Sequence, residues 1–190
     1  RTPRPSVPAD QVLKLKPYLN LAERLGSFAS QVFEGAVTEI TIEYGGESSM
    51  LNTAPVNVAL LKGFLTPILE ETVNFVNAPI IAKERGIAVK AMKSPDGGDS
   101  QSMIVLRVTV DGKENCVAGT LLGSTDPRIV RINNFPVEIV PDGNMLFMYN
   151  NDRPGVIGNI GSYLGKSEIN IARMHFGRES AGGMAISVVS

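Results

Sequence analysis

Apolar positions recur along this chain in two rhythms, one near four residues and one of two. Leu21, Leu25, Phe28, Ala29 and Val32 fall at helical spacing and make one apolar stripe. Pro8 and Pro17 stand where helices can start, and Gly35 stops this helix. Thr38, Ile40, Ile42 and Tyr44 then alternate with Glu39, Thr41 and Glu43, the pattern of a half-buried strand that Gly45-Gly46 breaks. Asn52 or Thr53 caps a helix carrying Leu60, Leu61, Phe64, Leu65, Ile68 and Leu69. Asn77-Ala78-Pro79 opens a second, short helix, ended by Gly86. Ser94-Pro95-Asp96-Gly97-Gly98-Asp99-Ser100 is a loop by composition. Ile104, Leu106, Val108 and Val110 alternate as a strand, Asp111-Gly112 turns it, and the return strand runs from Asn115 to Leu121. Two short strands follow, around Arg128–Ile132 and Val137–Val140, with a turn at Asn133-Asn134.

Pro141-Asp142-Gly143-Asn144 is a turn and the main boundary; beyond it the order is β-α-β-β. The strands are Met145–Tyr149, Asn170–Gly177 and Gly183–Val189, and Val156, Ile157, Ile160 and Leu164 mark the helix. A split βαβ sandwich has one more helix and strand, which would follow Ser190. The chain also begins at Arg1 with Pro3, Pro5 and Pro8 crowded into a linker or extended arm, so it reads as a fragment. The expected class is α+β. Residues 1–35 form a linker and helix, 36–143 a mixed α/β domain, and 144–190 a partial ferredoxin-like module.

Composition narrows the function classes. A 43% hydrophobic chain of 190 residues with ordinary aromatic content suits a soluble globular protein of one or two domains. Eighteen basic against nineteen acidic side chains leave a formal net charge of -1, which gives no electrostatic reason to bind nucleic acid or an anionic membrane. No apolar run approaches the roughly 20 residues of a membrane helix, and no signal peptide is visible. The single cysteine, Cys116, allows no intrachain disulfide and fits a reducing, cytoplasmic setting.

The segment richest in chemistry is Asn150-Asn151-Asp152-Arg153-Pro154-Gly155-Val156-Ile157-Gly158-Asn159-Ile160-Gly161. Polar groups here precede a helix start, and Pro154 suits the first turn. The first N–H groups of a helix lack internal partners and carry a positive field, so a small carboxylate can bind there while Asp152 holds an ammonium. Together they suit a zwitterion such as an amino acid. Gly155, Gly158, Gly161 and Gly165 predict a helix pressed closely on its sheet, since each costs about 1 kcal/mol of helix propensity. Their spacing is not that of a dinucleotide fingerprint. His175, the only histidine, reads as structural or interfacial, and Cys116 as a small apolar packing group. One histidine and one cysteine do not make a zinc site.

Asn150–Val189, with its N-x-D-x-P-G loop and the later Asn170-Ile171 pair, resembles an ACT domain. The preceding part resembles the intervening domain of long-form D-3-phosphoglycerate dehydrogenases. That resemblance rests on the stretch from Leu13 to Gly26, on Ile42-Glu43-Tyr44, on the stretch from Asn77 to Ile87, and on Val110-Asp111-Gly112 and Gly119-Thr120-Leu121. It implies an enzyme that oxidises 3-phosphoglycerate with NAD on the way to L-serine. Its nucleotide domain and catalytic histidine, arginine and glutamate would lie upstream of Arg1, so this chain would hold no catalytic residue and be inactive alone. It further implies homo-oligomers in which ACT domains pair side by side and bind L-serine as feedback effector. The effector positions fall on Asn150, Asp152 and Asn170. Asp152 would hold the ammonium, and Asn170 would reach it from the facing subunit. Asparagine at 150, where relatives often carry histidine or tyrosine, departs from the family pattern.

Arg128 and Arg131 resemble a basic stretch of the intervening domain that binds an anion or substrate. On a regular strand these two positions face opposite sides, and a solvated surface role is the simpler reading for either. Two other functions fit the same residues: a free-standing amino-acid-binding regulator, and an oligomerisation module with no effector.

Overall fold

A computed structural model describes residues 9–94 and 102–190. The proline-rich arm and nearly all of the Ser94–Ser100 loop fall outside the described residues. Helix α1 (Ala9–Val32) runs straight through Pro17, so that proline lies inside the helix and does not start it. The residues preceding it, from Asp10 to Lys14, are exposed. The expected stripe is the face that matters: Leu21, Ala22, Leu25 and Ala29 are wholly buried and Phe28 nearly so. Full burial of a leucine stabilises by about 1.5–3 kcal/mol. This face covers the large sheet, so the helix set apart in the sequence from residues 36–143 is packed into their core.

Beside α1 lies α2 (Ala54–Leu65), which begins one residue before Pro55 and ends short of Ile68 and Leu69. The two helices cross backbone to backbone at Gly26 and Gly63. A Cβ on Gly26 would stand 2.2 Å from the Leu60 carbonyl oxygen, and one on Gly63 1.9 Å from that of Glu23. Lys62 and Glu23 form an ion pair across the crossing. The hydroxyl of Tyr44, pushed above its usual range by burial, donates to Asn57 Oδ1 at 2.6 Å and ties α2 to the sheet.

The sheet has six strands: β1 (Val37–Gly45), β2 (Ala88–Ser94), β3 (Met103–Val110), β4 (Lys113–Leu122), β5 (Asp126–Ile132) and β6 (Phe135–Ile139). Their spatial order is β2-β1-β3-β4-β5-β6. Alternation holds well on β1 and β3, where Ile40, Ile42, Tyr44, Ile104, Leu106 and Val108 are fully buried beneath the helices. The β3–β4 hairpin turns at Asp111 (φ 50°) and Gly112 (φ 77°), the two positive angles of the tightest hairpin turn. The sequence reading missed β2. It follows the short helix α3 (Ala78–Glu84), pairs with β1 in parallel, and is exposed along its whole length. An edge strand with no buried face has no alternation to show.

The last part of the chain forms a second sheet of β7 (Leu146–Asn151), β8 (Met174–Arg178) and β9 (Met184–Val189) in the order β7-β9-β8, with helix α4 (Val156–Lys166) between β7 and β8. One face of this sheet closes on the larger domain. Ile186 and Val188 join the main core, and Phe28 meets Phe147 edge-on with centroids 6.0 Å apart. Gly177 packs so closely on β6 that a Cβ would come within 2.9 Å of the Pro136 carbonyl oxygen. The architecture is α+β, with a mixed sheet.

Two expectations fail here. The glycines of α4 and its cap are not pressed on anything: among the described residues a Cβ on Gly155, Gly158, Gly161 or Gly165 would meet nothing within 4 Å. The close helix contact is between α1 and α2 instead. Nor does a strand reach back to Asn170, because the ladder linking β8 to β9 ends with the paired backbones of Arg173 and Ser190.

Candidate functional site

The polar loop after β7 is held by the hairpin that joins β8 to β9. Antiparallel pairing sets Asn150, Ala185 and Arg178 in one row, with Met148, Ser187 and Phe176 in the next. Residues directly opposite in a sheet share a face, so Asn150, Ser187 and Arg178 project to the same side. Asn150 Oδ1 accepts the Ser187 hydroxyl at 2.8 Å, and its Nδ2 donates to the Asn151 carbonyl at 3.0 Å. Ser187 is fully buried, so Asn150 satisfies a hydroxyl that would otherwise lose its partner.

Asp152 sits at the end of that row. Its backbone N–H donates to the Gly183 carbonyl at 2.9 Å. Its carboxylate Oδ2 accepts from Arg178 Nη1 at 2.9 Å and from the Gly182 N–H at 3.3 Å. Gly182 has φ +76°, which lets the hairpin turn its amide toward the carboxylate. The Arg178 guanidinium, and after it the Gly182 amide, hold the Asp152 carboxyl below its ordinary value. A carboxylate is thus fixed against the β8–β9 hairpin, four residues ahead of α4 in the chain, with a cation and an amide on one of its oxygens.

Pro154 lies before the helix and not in its first turn. The cap residue is Gly155, at φ +91°, and α4 begins at Val156. Asn170 is exposed in the stretch between α4 and β8. No side-chain hydrogen bond joins it to Asn150 or Asp152 among the described residues. The fold therefore brings together two of the three expected effector positions. It adds Arg178 and Ser187, which the sequence reading missed. The hairpin residues Glu179-Ser180-Ala181-Gly182 were the one signal for them, since folding the chain there carries Arg178 back beside Asp152.

Arg128 and Arg131 lie on β5, and that strand is not regular. Ala118 pairs with Arg131 while its neighbour Gly119 pairs with Ile129, leaving Val130 as an extra residue in a bulge. Ile129 and Ile132 are both fully buried as a result. Arg128 and Arg131 consequently share the outer face, contrary to the even-odd expectation. Arg128 Nη1 donates to the Pro127 carbonyl at 2.9 Å, and Arg131 Nη2 points at Cys116 Sγ at 3.6 Å. On the same face Arg107 is held by Glu43 at 2.8 Å and Glu114 at 3.0 Å, first Glu43 and then the other charges raising its already high pKa. Among the described residues neither Arg128 nor Arg131 forms an ion pair.

Cys116 is buried in β4. His175 shares a row with Phe147 and Val188, and its Nε2 is enclosed with no hydrogen-bond partner, away from the Asp152 row. Among the described residues no three metal-ligating side chains cluster, and no helix is long and apolar enough to cross a membrane. Strands β7 and β8 both pair antiparallel with β9, so they run parallel to each other and β7-α4-β8 is a split βαβ unit with β9 between its strands.

Comparison with known proteins identifies the family. Residues 14–133 match the family model of the D-3-phosphoglycerate dehydrogenase intervening domain. D-3-phosphoglycerate dehydrogenase of Bacillus subtilis is 38% identical over 98% of the chain, and that of Synechocystis 40% identical over 98%. The Mycobacterium tuberculosis enzyme of the same name is 29% identical over 89% of the chain. The chain spans 35%, 34% and 32% of the length of these relatives, about a third. A match over the helical layer and most of the six-stranded sheet shows that the chain belongs to the D-3-phosphoglycerate dehydrogenase intervening-domain family.

Proposed function

We propose that this chain is the regulatory and assembly region of a cytoplasmic D-3-phosphoglycerate dehydrogenase, and that its second sheet is an ACT domain binding L-serine as feedback effector. The whole enzyme would oxidise 3-phosphoglycerate to 3-phosphohydroxypyruvate at the entry to L-serine biosynthesis. NAD, bound by other parts of that enzyme, would accept the hydride. This chain's own contribution is to bind, report and assemble, and no dehydrogenase turnover is expected from it alone.

The observation that carries the reading is the fixed carboxylate of Asp152, four residues ahead of α4 and within a polar row that includes Asn150. An ammonium finds its counter-charge there, and the unpaired N–H groups of the helix start favour a carboxylate. Asn170, exposed and unattached to the row, is free to serve a second copy of the chain in a homo-oligomer. The bulge in β5 supports a second site, for a phosphorylated anion at Arg128 and Arg131.

Calorimetric titration with L-serine, with D-serine as control, tests the effector site. Stereospecific binding that Asp152→Ala and Asn170→Ala each weaken is expected. Equal heats from the two enantiomers, or none, would reject serine as the effector.

A further inference from the structure

The ion pair at the effector row has a meaning beyond stability. Arg178 is the last residue of β8, and its side chain is mostly exposed, yet its guanidinium reaches across the hairpin to the one carboxylate that the effector's ammonium needs. Without ligand, therefore, the proposed ammonium site is already filled by a cation. The partner is well placed and weakly held: an exposed arginine-carboxylate pair opens easily, while the Gly182 amide keeps Asp152 in position when the arginine leaves.

We propose that Arg178 is the specificity-determining residue of this site, exchanging Asp152 for the carboxylate of an entering α-amino acid. The inference rests on the effector reading above. An α-amino acid carries an ammonium and a carboxylate on one carbon. Placed between Asp152 and Arg178, it replaces one ion pair with two, ammonium to Asp152 and carboxylate to Arg178. The net charge of the site is unchanged, and the guanidinium, with its planar fork of donors, suits a carboxylate. A plain amine lacks the second half of this exchange. It must evict Arg178 and leave it unpaired. A plain carboxylate must draw Arg178 away from Asp152 and offer that aspartate nothing. The resting pair thus rejects both single charges and admits the zwitterion, a selectivity built from a penalty on the wrong ligand as much as a contact to the right one.

The experiment is calorimetric titration of L-serine, ethanolamine and 3-hydroxypropionate into the chain and into its Arg178→Gln and Arg178→Lys variants. Thermal melts accompany it to show that each variant is folded. The chain should bind L-serine far more tightly than either single-charge analogue. Arg178→Gln should lower the preference for L-serine over ethanolamine about tenfold or more, because the amine no longer has to break a resting ion pair to reach Asp152. The same variant should bind ethanolamine more tightly than the parent does, because the competing cation is gone. Arg178→Lys should recover part of the preference for L-serine. If the parent binds L-serine and Arg178→Gln keeps the same preference for it over ethanolamine, the exchange is wrong and the effector site stands. If the parent binds no L-serine, both fall together.

Discussion

Gly26 and Gly63 show what a single missing side chain can do. Each lies in a helix interior, where glycine costs about 1 kcal/mol against alanine. Each is kept at a place where a Cβ would collide with the backbone of the other helix. A backbone atom cannot rotate aside, so Gly63→Ala should destabilise the fold by about 1–3 kcal/mol or more, read as a lower denaturant midpoint. Gly158 in α4 faces open space, and Gly158→Ala should raise stability by about 0.5–1 kcal/mol. A destabilising Gly158→Ala would mean that α4 is covered by something at that position. Asp152 carries the pH prediction. Its folded pKa is depressed by Arg178 and Gly182, so the stability it adds is present above its unfolded value, near 3.9, and is lost as pH falls through the folded value. NMR titration should place its midpoint below the usual aspartate range and move it up in Arg178→Gln. An unchanged midpoint in that variant would remove Arg178 as the cause.

At the scale of an element, the bulge in β5 decides where four side chains go. With Val130 set aside from the ladder, Ile129 and Ile132 both enter the core and Arg128 and Arg131 both leave it. Deleting Val130 leaves Arg128, Ile129, Arg131 and Ile132 in plain alternation, so a regular strand keeps both isoleucines in the core and both arginines outside. The chain should then lose much less than the about 2–5 kcal/mol of removing a large aliphatic side chain from a core, read as a denaturant midpoint, and a loss of that full size would mean that Val130 is not the extra residue. For the intact strand, thermal shift with inorganic phosphate and 3-phosphoglycerate should show stabilisation that Arg128→Ala and Arg131→Ala each reduce. A shift that neither substitution alters would place the anion elsewhere.

Across the whole molecule, an aromatic chain couples the two sheets. Phe28 on α1 meets Phe147 edge-on, Phe147 meets Tyr149 at 5.0 Å, and Tyr149 leans on Phe135 of the large sheet at 6.4 Å. Arg24 adds a polar clasp, donating to the Pro141 carbonyl and pairing with Asp142 at 3.1 Å, which lowers the Asp142 carboxyl below its ordinary value. The clasp is largely exposed and contributes little, whereas Phe28 is buried. Phe28→Ala should therefore cost about 3–5 kcal/mol and speed amide exchange in Leu146–Asn151 as well as in α1. Protection of β7 unchanged in that variant would mean that the second sheet docks without the aromatic chain. Phe147 and Phe28 give β7 one packed route to α1.

What could be read from the sequence was what depends on near neighbours. The stripe on α1, the alternation of β1 and β3, the Asp111-Gly112 turn and the polar loop around Asp152 are local patterns, because a helix turn or a pleat repeats within a few residues. Family resemblance likewise pointed to Asn150 and Asp152. Tertiary structure decided the rest. The strand β2 has no buried face and so no periodicity. The bulge at Val130 exists only as a mismatch between two strands. The packed glycines are those of α1 and α2, not of α4, because close approach is a property of a pair of helices. Arg178 reaches Asp152 through a hairpin whose register pattern alone does not set, since sequence records which residues alternate while the fold decides which residues meet.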